Sequence, residues 1–139
     1  MRALFASAAV LCSVACGGSL PRPVQSAPPD DAFVEVPYPP PPALSELIPR
    51  QPREPGAVFL DGGWAWRGSY YVWQRGGWVV PPAGARATPW TLRYAADGRA
   101  FFAEGGWVNE RGERVRPPRI LTPTVTPPNE VTAEFQTGR

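Results

Sequence analysis

The chain has 139 residues, of which 20 are Pro and 14 Gly, so about a quarter of its positions are the two residue types that interrupt regular structure. That composition excludes a predominantly helical protein. The 14 basic residues are all Arg, His is absent, and 12 acidic residues leave a formal charge of +2. Chemistry built on imidazole or a lysine amine is therefore excluded, and the basic excess is too small to imply a nucleic-acid partner.

The chain opens with one charge at Arg2, then an apolar run from Ala3 to Leu11 interrupted only by Ser7, then Ser13-Val14-Ala15-Cys16. This is the charged, apolar, small-residue order of a secretory signal, and the run is shorter than the roughly 20 apolar residues a membrane-spanning helix needs. Both cysteines, Cys12 and Cys16, fall here, too early and too close to staple a core. The Val14-Ala15-Cys16 ending resembles the lipobox of bacterial lipoproteins, in which a peptidase cuts before a Cys carrying diacylglycerol. The resemblance implies a signal peptide over 1–15 and membrane attachment through acyl chains on Cys16. Ser13 stands where that family usually has Leu, and Ser13 with Ala15 also fits ordinary secretion, so a soluble exported protein with one thiol is the alternative. Acylation removes the oxidation liability of an unpaired cysteine, which favours the anchored reading. Gly17 rather than Asp follows Cys16, and in the lipoprotein family this implies the outer membrane, facing the periplasm or the cell surface.

Residues 16–55 hold 12 Pro, with Pro39 to Pro42 in one block. The composition predicts an extended polyproline II spacer, unable to pair into sheets, with a single helical turn at Ala43 to Ile48. Residues 56–116 hold all six Trp, 12 aromatics in total and only three Pro, and this is where a core can form. Residues 117–139 are polar and rich in Thr and Pro and read as a tail, with a short strand at Val131 to Phe135.

One hexapeptide recurs in the aromatic segment: Phe59-Leu60-Asp61-Gly62-Gly63-Trp64, Trp73-Gln74-Arg75-Gly76-Gly77-Trp78 and Phe102-Ala103-Glu104-Gly105-Gly106-Trp107. The spacing predicts a degenerate unit around Pro89-Trp90. Each unit reads as two short strands and a turn, the paired Gly supplying positive-φ positions. Arg67-Gly68-Ser69 and Ala96-Asp97-Gly98 are further turn signals. Together these predict an all-β fold: a single small antiparallel meander sheet or half-barrel, flanked by Pro-rich disordered segments. Trp73 to Trp78, preceded by Tyr71, resembles the Trp-x-x-Gly-x-Trp repeat of small exported proteobacterial proteins, many of them lipoproteins. That resemblance implies an envelope location and imports no activity.

Trp64, Trp66, Trp73, Trp78, Trp90 and Trp107 have two possible uses. They can form the core, with Arg67, Arg75 and Arg93 stacking on ring faces, or an exposed subset with Arg75 can form a binding surface for envelope proteins or glycans. Nucleophile–base pairs and thiolate or imidazole metal sites have no residues to build them, so no cofactor or metal is expected. The carboxylates remain: Asp61 and Glu104 hold equivalent places in their hexapeptides and could form an acid–base pair on one edge, or two solvated turn residues. The expected function is a non-catalytic structural or protein-interaction role at the envelope. Glycan or peptidoglycan binding through exposed Trp is the alternative, and a carboxylate hydrolase the lesser one.

Overall fold

A computed structural model describes residues 19–125 and 127, so the signal sequence, Cys16 and the Val131–Phe135 segment lie outside the described residues. The centre of the molecule is two bent antiparallel hairpins. In the first, β2 (Val58–Leu60) and β3 (Gly63–Trp66) form one arm, and β4 (Tyr71–Gln74) and β5 (Gly77–Val79) the other. Leu60 opposes Gly77 and Gly63 opposes Gln74, so Asp61-Gly62 faces Arg75-Gly76 across a two-residue break while the register continues unchanged. In the second, β6 (Arg86–Thr88) and β7 (Thr91–Tyr94) face β8 (Ala100–Ala103) and β9 (Gly106–Val108). Thr88 opposes Gly106 and Thr91 opposes Ala103, so Pro89-Trp90 faces Glu104-Gly105 in the same way. With β1 (Val34–Val36) on the far side of β8, and β10 (Ile120–Pro123) on the far side of β5, the described strands make four small sheets: β1-β8-β7, β10-β5-β2, β3-β4 and β6-β9. The fold is all-β, its sheet pairings are antiparallel, and the described strands close no barrel.

The hairpin tips lie at the single-glycine turns. Gly68 has φ of 84°, and Arg67 N–H donates to the Tyr70 carbonyl at 2.9 Å, a two-residue turn with the positive φ at its first central position. Gly98, at φ 86°, closes the three-residue Ala96-Asp97-Gly98 loop, where Ala95 N–H donates to the Arg99 carbonyl. The paired glycines do something else. None of the six takes a positive φ, which corrects their reading as hairpin turns. At the first break Gly62 and Gly76 lie where the two arms cross too closely for a Cβ, and Gly77 lies where β10 approaches as closely, whereas Gly106 at the second break has room for one. A Cβ on Gly62 would lie 2.6 Å from a Trp73 ring carbon and 2.9 Å from the Gln74 carbonyl oxygen, and one on Gly77 would lie 2.5 Å from the Thr122 carbonyl oxygen.

The bend lets each hairpin serve two packing layers. Beyond the breaks, Trp64, Trp66, Tyr71 and Trp73 of β3-β4 pack on Phe102, Ala100 and Leu92 of the β8-β7 pair, with Val36 of β1 joining them. On the near side, Val79, Val58 and Leu60 pack on Ala87 and Trp107, while Phe59, Trp78 and Ala57 form a third cluster with Leu20 and Leu121. Trp64 stands opposite Trp73 with ring centroids 5.0 Å apart and nearly perpendicular planes, and Tyr71 meets Phe102 edge-on at 5.1 Å. Such edge-to-face contacts add to the area that the rings bury.

The Pro-rich segment is part of this fold, a correction to the spacer reading for residues 19–55. Its carbonyls and its few amides close sheet edges. Phe59 N–H donates to the Pro21 carbonyl at 2.8 Å, Ala87 N–H donates to the Val24 carbonyl at 2.8 Å, and Ser26 N–H donates to the Ala87 carbonyl at 2.9 Å. Residues 21–26 thus strap β2 to β6 along edges that no other described strand covers. Val34-Glu35-Val36 is long enough, between prolines, to pair with Phe102, Phe101 and Ala100. Ala43 to Ile48 is extended rather than helical, because Leu47 exchanges backbone hydrogen bonds with Val125. The start of the tail also differs from expectation: β10 pairs with β5, and the buried Thr124 donates N–H to the Gly76 carbonyl at 3.0 Å.

Candidate functional site

The six tryptophans divide by depth. Trp64, Trp78 and Trp107, one from each hexapeptide, are buried at 6%, 1% and 3% exposure, while Trp66, Trp73 and Trp90 are half-buried. A row of exposed rings is therefore not present: the indoles serve the core first. Their N–H groups need acceptors once buried, and the Pro-rich segment supplies two. Trp78 Nε1 donates to the Pro49 carbonyl at 2.8 Å, and Trp73 Nε1 donates to Glu46 Oε1 at 3.0 Å. Trp64 Nε1 is buried with no acceptor among the described residues.

Glu46 is the residue that sequence reasoning missed. Its carboxylate also accepts the Gly76 N–H at 3.1 Å, so one side chain from the Pro-rich segment holds both the indole of β4 and the backbone of the break. Nothing local in Leu44-Ser45-Glu46-Leu47 signals this, since both donors are about 30 residues away in the chain. Glu46→Ala leaves those donors without partners, and a hydrogen bond to a charged group contributes about 1.5–3 kcal/mol. We expect a stability loss of about 2–3 kcal/mol, read from the urea midpoint, with Glu46→Gln losing less because it keeps an acceptor oxygen.

Two clefts flank the second break. The larger, about 510 Å³, is lined by Trp64, Trp90 and Trp107 with Arg75, Gln74 and Asp61 at its polar wall. The smaller, about 440 Å³, is lined by Trp66 and Phe102 with Asp31, Glu104 and Arg114. Thr88, Gly105, Gly106, Trp107 and Pro117 border both, so the clefts meet at the break between β8 and β9. Asp61 and Glu104 are thus on the walls of different clefts. Asp61 is ion-paired with Arg22, which also lies over the Phe59 ring at 5.5 Å, and Glu104 is paired with Arg67 at 3.1 Å. Both pairs are solvent-exposed and contribute at most about 1 kcal/mol each.

The arginines stack on phenylalanines rather than on Trp. Arg93 lies 3.7 Å from the Phe33 ring centre while bonding Asp30, and Arg99 lies 5.4 Å from Phe101 while bridging Glu35 and Asp97. The Arg99 guanidinium and backbone N–H hold the Asp97 carboxyl below the usual carboxylate range. Burial, with Tyr38 and Tyr94 nearby, pushes the Tyr71 phenol above its ordinary value, and its hydroxyl donates to the Tyr38 carbonyl at 3.0 Å. Among the described residues no group of acidic or Cys side chains is gathered as a metal site requires. No helix among them is long and apolar enough to cross a membrane.

Compared with protein-family models, curated protein sequences and solved structures, the chain matches none. What can be said of its role therefore comes from its own residues.

Proposed function

We propose that the protein is a lipid-anchored component of the cell envelope, held in the outer membrane by acyl chains on Cys16, with a non-catalytic structural or protein-interaction role. The placement of the acid–base pair that the hexapeptides suggest carries the non-catalytic part. Asp61 and Glu104 sit at the breaks of the two hairpins and line different clefts, and each carboxylate is engaged by its own Arg, which supports a structural role for both. The anchor draws its support from the Met1 to Cys16 order and from the lipobox resemblance. Intact-mass spectrometry of protein extracted from envelopes is the test: the expected mature chain begins at an acylated Cys16, and a free, unacylated residue 16 overturns the anchor.

The glycan reading keeps one observation in its favour. Trp90 is half-buried in the wall of the larger cleft beside Arg75 and Gln74, which is the combination of a ring face and polar groups that saccharides stack and bond against. Titration with soluble peptidoglycan fragments decides it. A saturable tryptophan fluorescence change that Trp90→Ala removes, in a variant with unchanged circular dichroism, supports glycan binding, and an unchanged spectrum of the wild-type chain rejects it.

A further inference from the structure

We infer that the smaller cleft binds a saccharide carrying an acidic group, at a site separate from the Trp90 wall on which the glycan reading above rests. Arg86 opposes Val108 in the β6-β9 ladder, and Val108 forms an antiparallel bridge to Arg114 on its other side. Directly opposed residues have their side chains on the same face, so Arg86, Val108 and Arg114 stand in one row, the two arginine backbones about 9–10 Å apart, two strand spacings. Thr88 and Gly106 are the next pair on that face, while Ala87 and Trp107 point the other way, into the core with Val115. Both arginines are exposed, and neither is ion-paired among the described residues. Thr88, Gly106, Val108 and Arg114 all line the smaller cleft, so this face is its floor and Arg114 its cationic wall. A Cβ on Gly106 would meet only Thr88 Oγ1, at 3.6 Å, so the floor is open there.

The surroundings select the ligand. An extended peptide binds a sheet by adding a strand to an edge, and both edges of the β6-β9 pair are covered. On β6, Ala87 exchanges hydrogen bonds with Val24 and Ser26, and on β9 the Trp107 carbonyl accepts the Val115 N–H. A ligand in this cleft is therefore held by side chains. Trp66, also in the lining, is half-buried and fixed by Tyr38 and Tyr71 at 5.5 and 4.7 Å between ring centres, which leaves a rigid ring edge or face for stacking. The exposed Asp31 lines the same cleft and accepts hydroxyl hydrogens, and the guanidinium groups of Arg114 and Arg86 pair with carboxylate or phosphate. A hydroxylated ring bearing an acid satisfies all three. The cleft, about 440 Å³, is within the roughly 300–1,000 Å³ of small-ligand sites.

The test is calorimetric titration of the full chain with uronate oligosaccharides from alginate and with neutral cello-oligosaccharides of the same length. We expect saturable binding of the uronate chain, weakened about tenfold or more by Arg114→Gln, and by Arg86→Gln should the first variant lose its native circular dichroism. Arg119→Gln, at an exposed arginine outside both cleft linings, is expected to leave the affinity unchanged. No saturable heat with the uronate chain, or equal affinity for the neutral chain or for polyglutamate, overturns the inference. Binding that Trp90→Ala abolishes and Arg114→Gln leaves intact overturns this site too, and leaves the reading of the larger cleft standing.

Discussion

Gly76→Ala is expected to lower the urea midpoint by the equivalent of more than about 3 kcal/mol. A Cβ at this position meets backbone on every side: it would fall on the Leu60 carbonyl oxygen, 2.6 Å from the Gly62 nitrogen and 2.8 Å from the Asp61 carbonyl carbon. No rotamer change relieves contacts with backbone, so the two arms of the first hairpin must separate at the break. That removes the Thr124 and Glu46 hydrogen bonds that converge on Gly76. Overpacking typically costs about 1–3 kcal/mol even where side chains can move, and we expect more than about 3 kcal/mol here, a large part of the 5–15 kcal/mol that small domains have. The control is in the equivalent motif. A Cβ on Gly106 would meet only Thr88 Oγ1, at 3.6 Å, an ordinary contact. Gly106→Ala is expected to shift stability by less than about 1 kcal/mol. Urea titrations followed by tryptophan fluorescence measure both; equal midpoints for the two variants would refute the close-approach account of the paired glycines.

The second large effect concerns the Pro-rich segment. A fragment restricted to residues 56–116, the span the aromatic composition marks as the domain, is expected to be unfolded or aggregated, whereas residues 19–127 fold. Without 19–55 the fragment loses β1 and with it Val36, which is 3% exposed in the core. The indole N–H groups of Trp73 and Trp78 lose their acceptors at Glu46 and Pro49. Each such buried donor left unpaired costs about 1–3 kcal/mol. Phe59 and Ala87 lose their strap partners at the same time, and β5 loses β10. Near-ultraviolet circular dichroism and a thermal melt of the two fragments decide the matter; a sharp melt of 56–116 alone would show that the strap is dispensable.

Much of the fold was legible in local chemistry. The turns at Gly68 and at Asp97-Gly98 follow from residues that tolerate positive φ, and the aromatic pairs Trp64–Trp73 and Trp66–Tyr71 follow from period-two alternation in strands joined by a short turn. The meaning of the paired glycines was not, because a Gly–Gly step signals either an unusual φ or the absence of room for a Cβ, and only the opposing chain distinguishes the two. The pairing of Val34-Glu35-Val36 with β8 was hidden for another reason. A three-residue strand is too short to show a period, and its partner strand is more than 60 residues away. The clefts depend on that same long-range assembly, so Asp61 and Glu104, equivalent in sequence, end on different walls.

The strap also determines where the sheets stop. A strand added to an edge normally offers a new edge of its own, with amide hydrogens ready for the next chain. Here the added strand includes Pro21 and Pro23 and runs on into Pro28 and Pro29, residues that accept hydrogen bonds and have none to donate. It satisfies β2 and β6 with the carbonyls of Pro21 and Val24 and presents few amide hydrogens outward. Growth by strand addition therefore ends at this boundary: a second copy of the chain finds few amide hydrogens there to pair with.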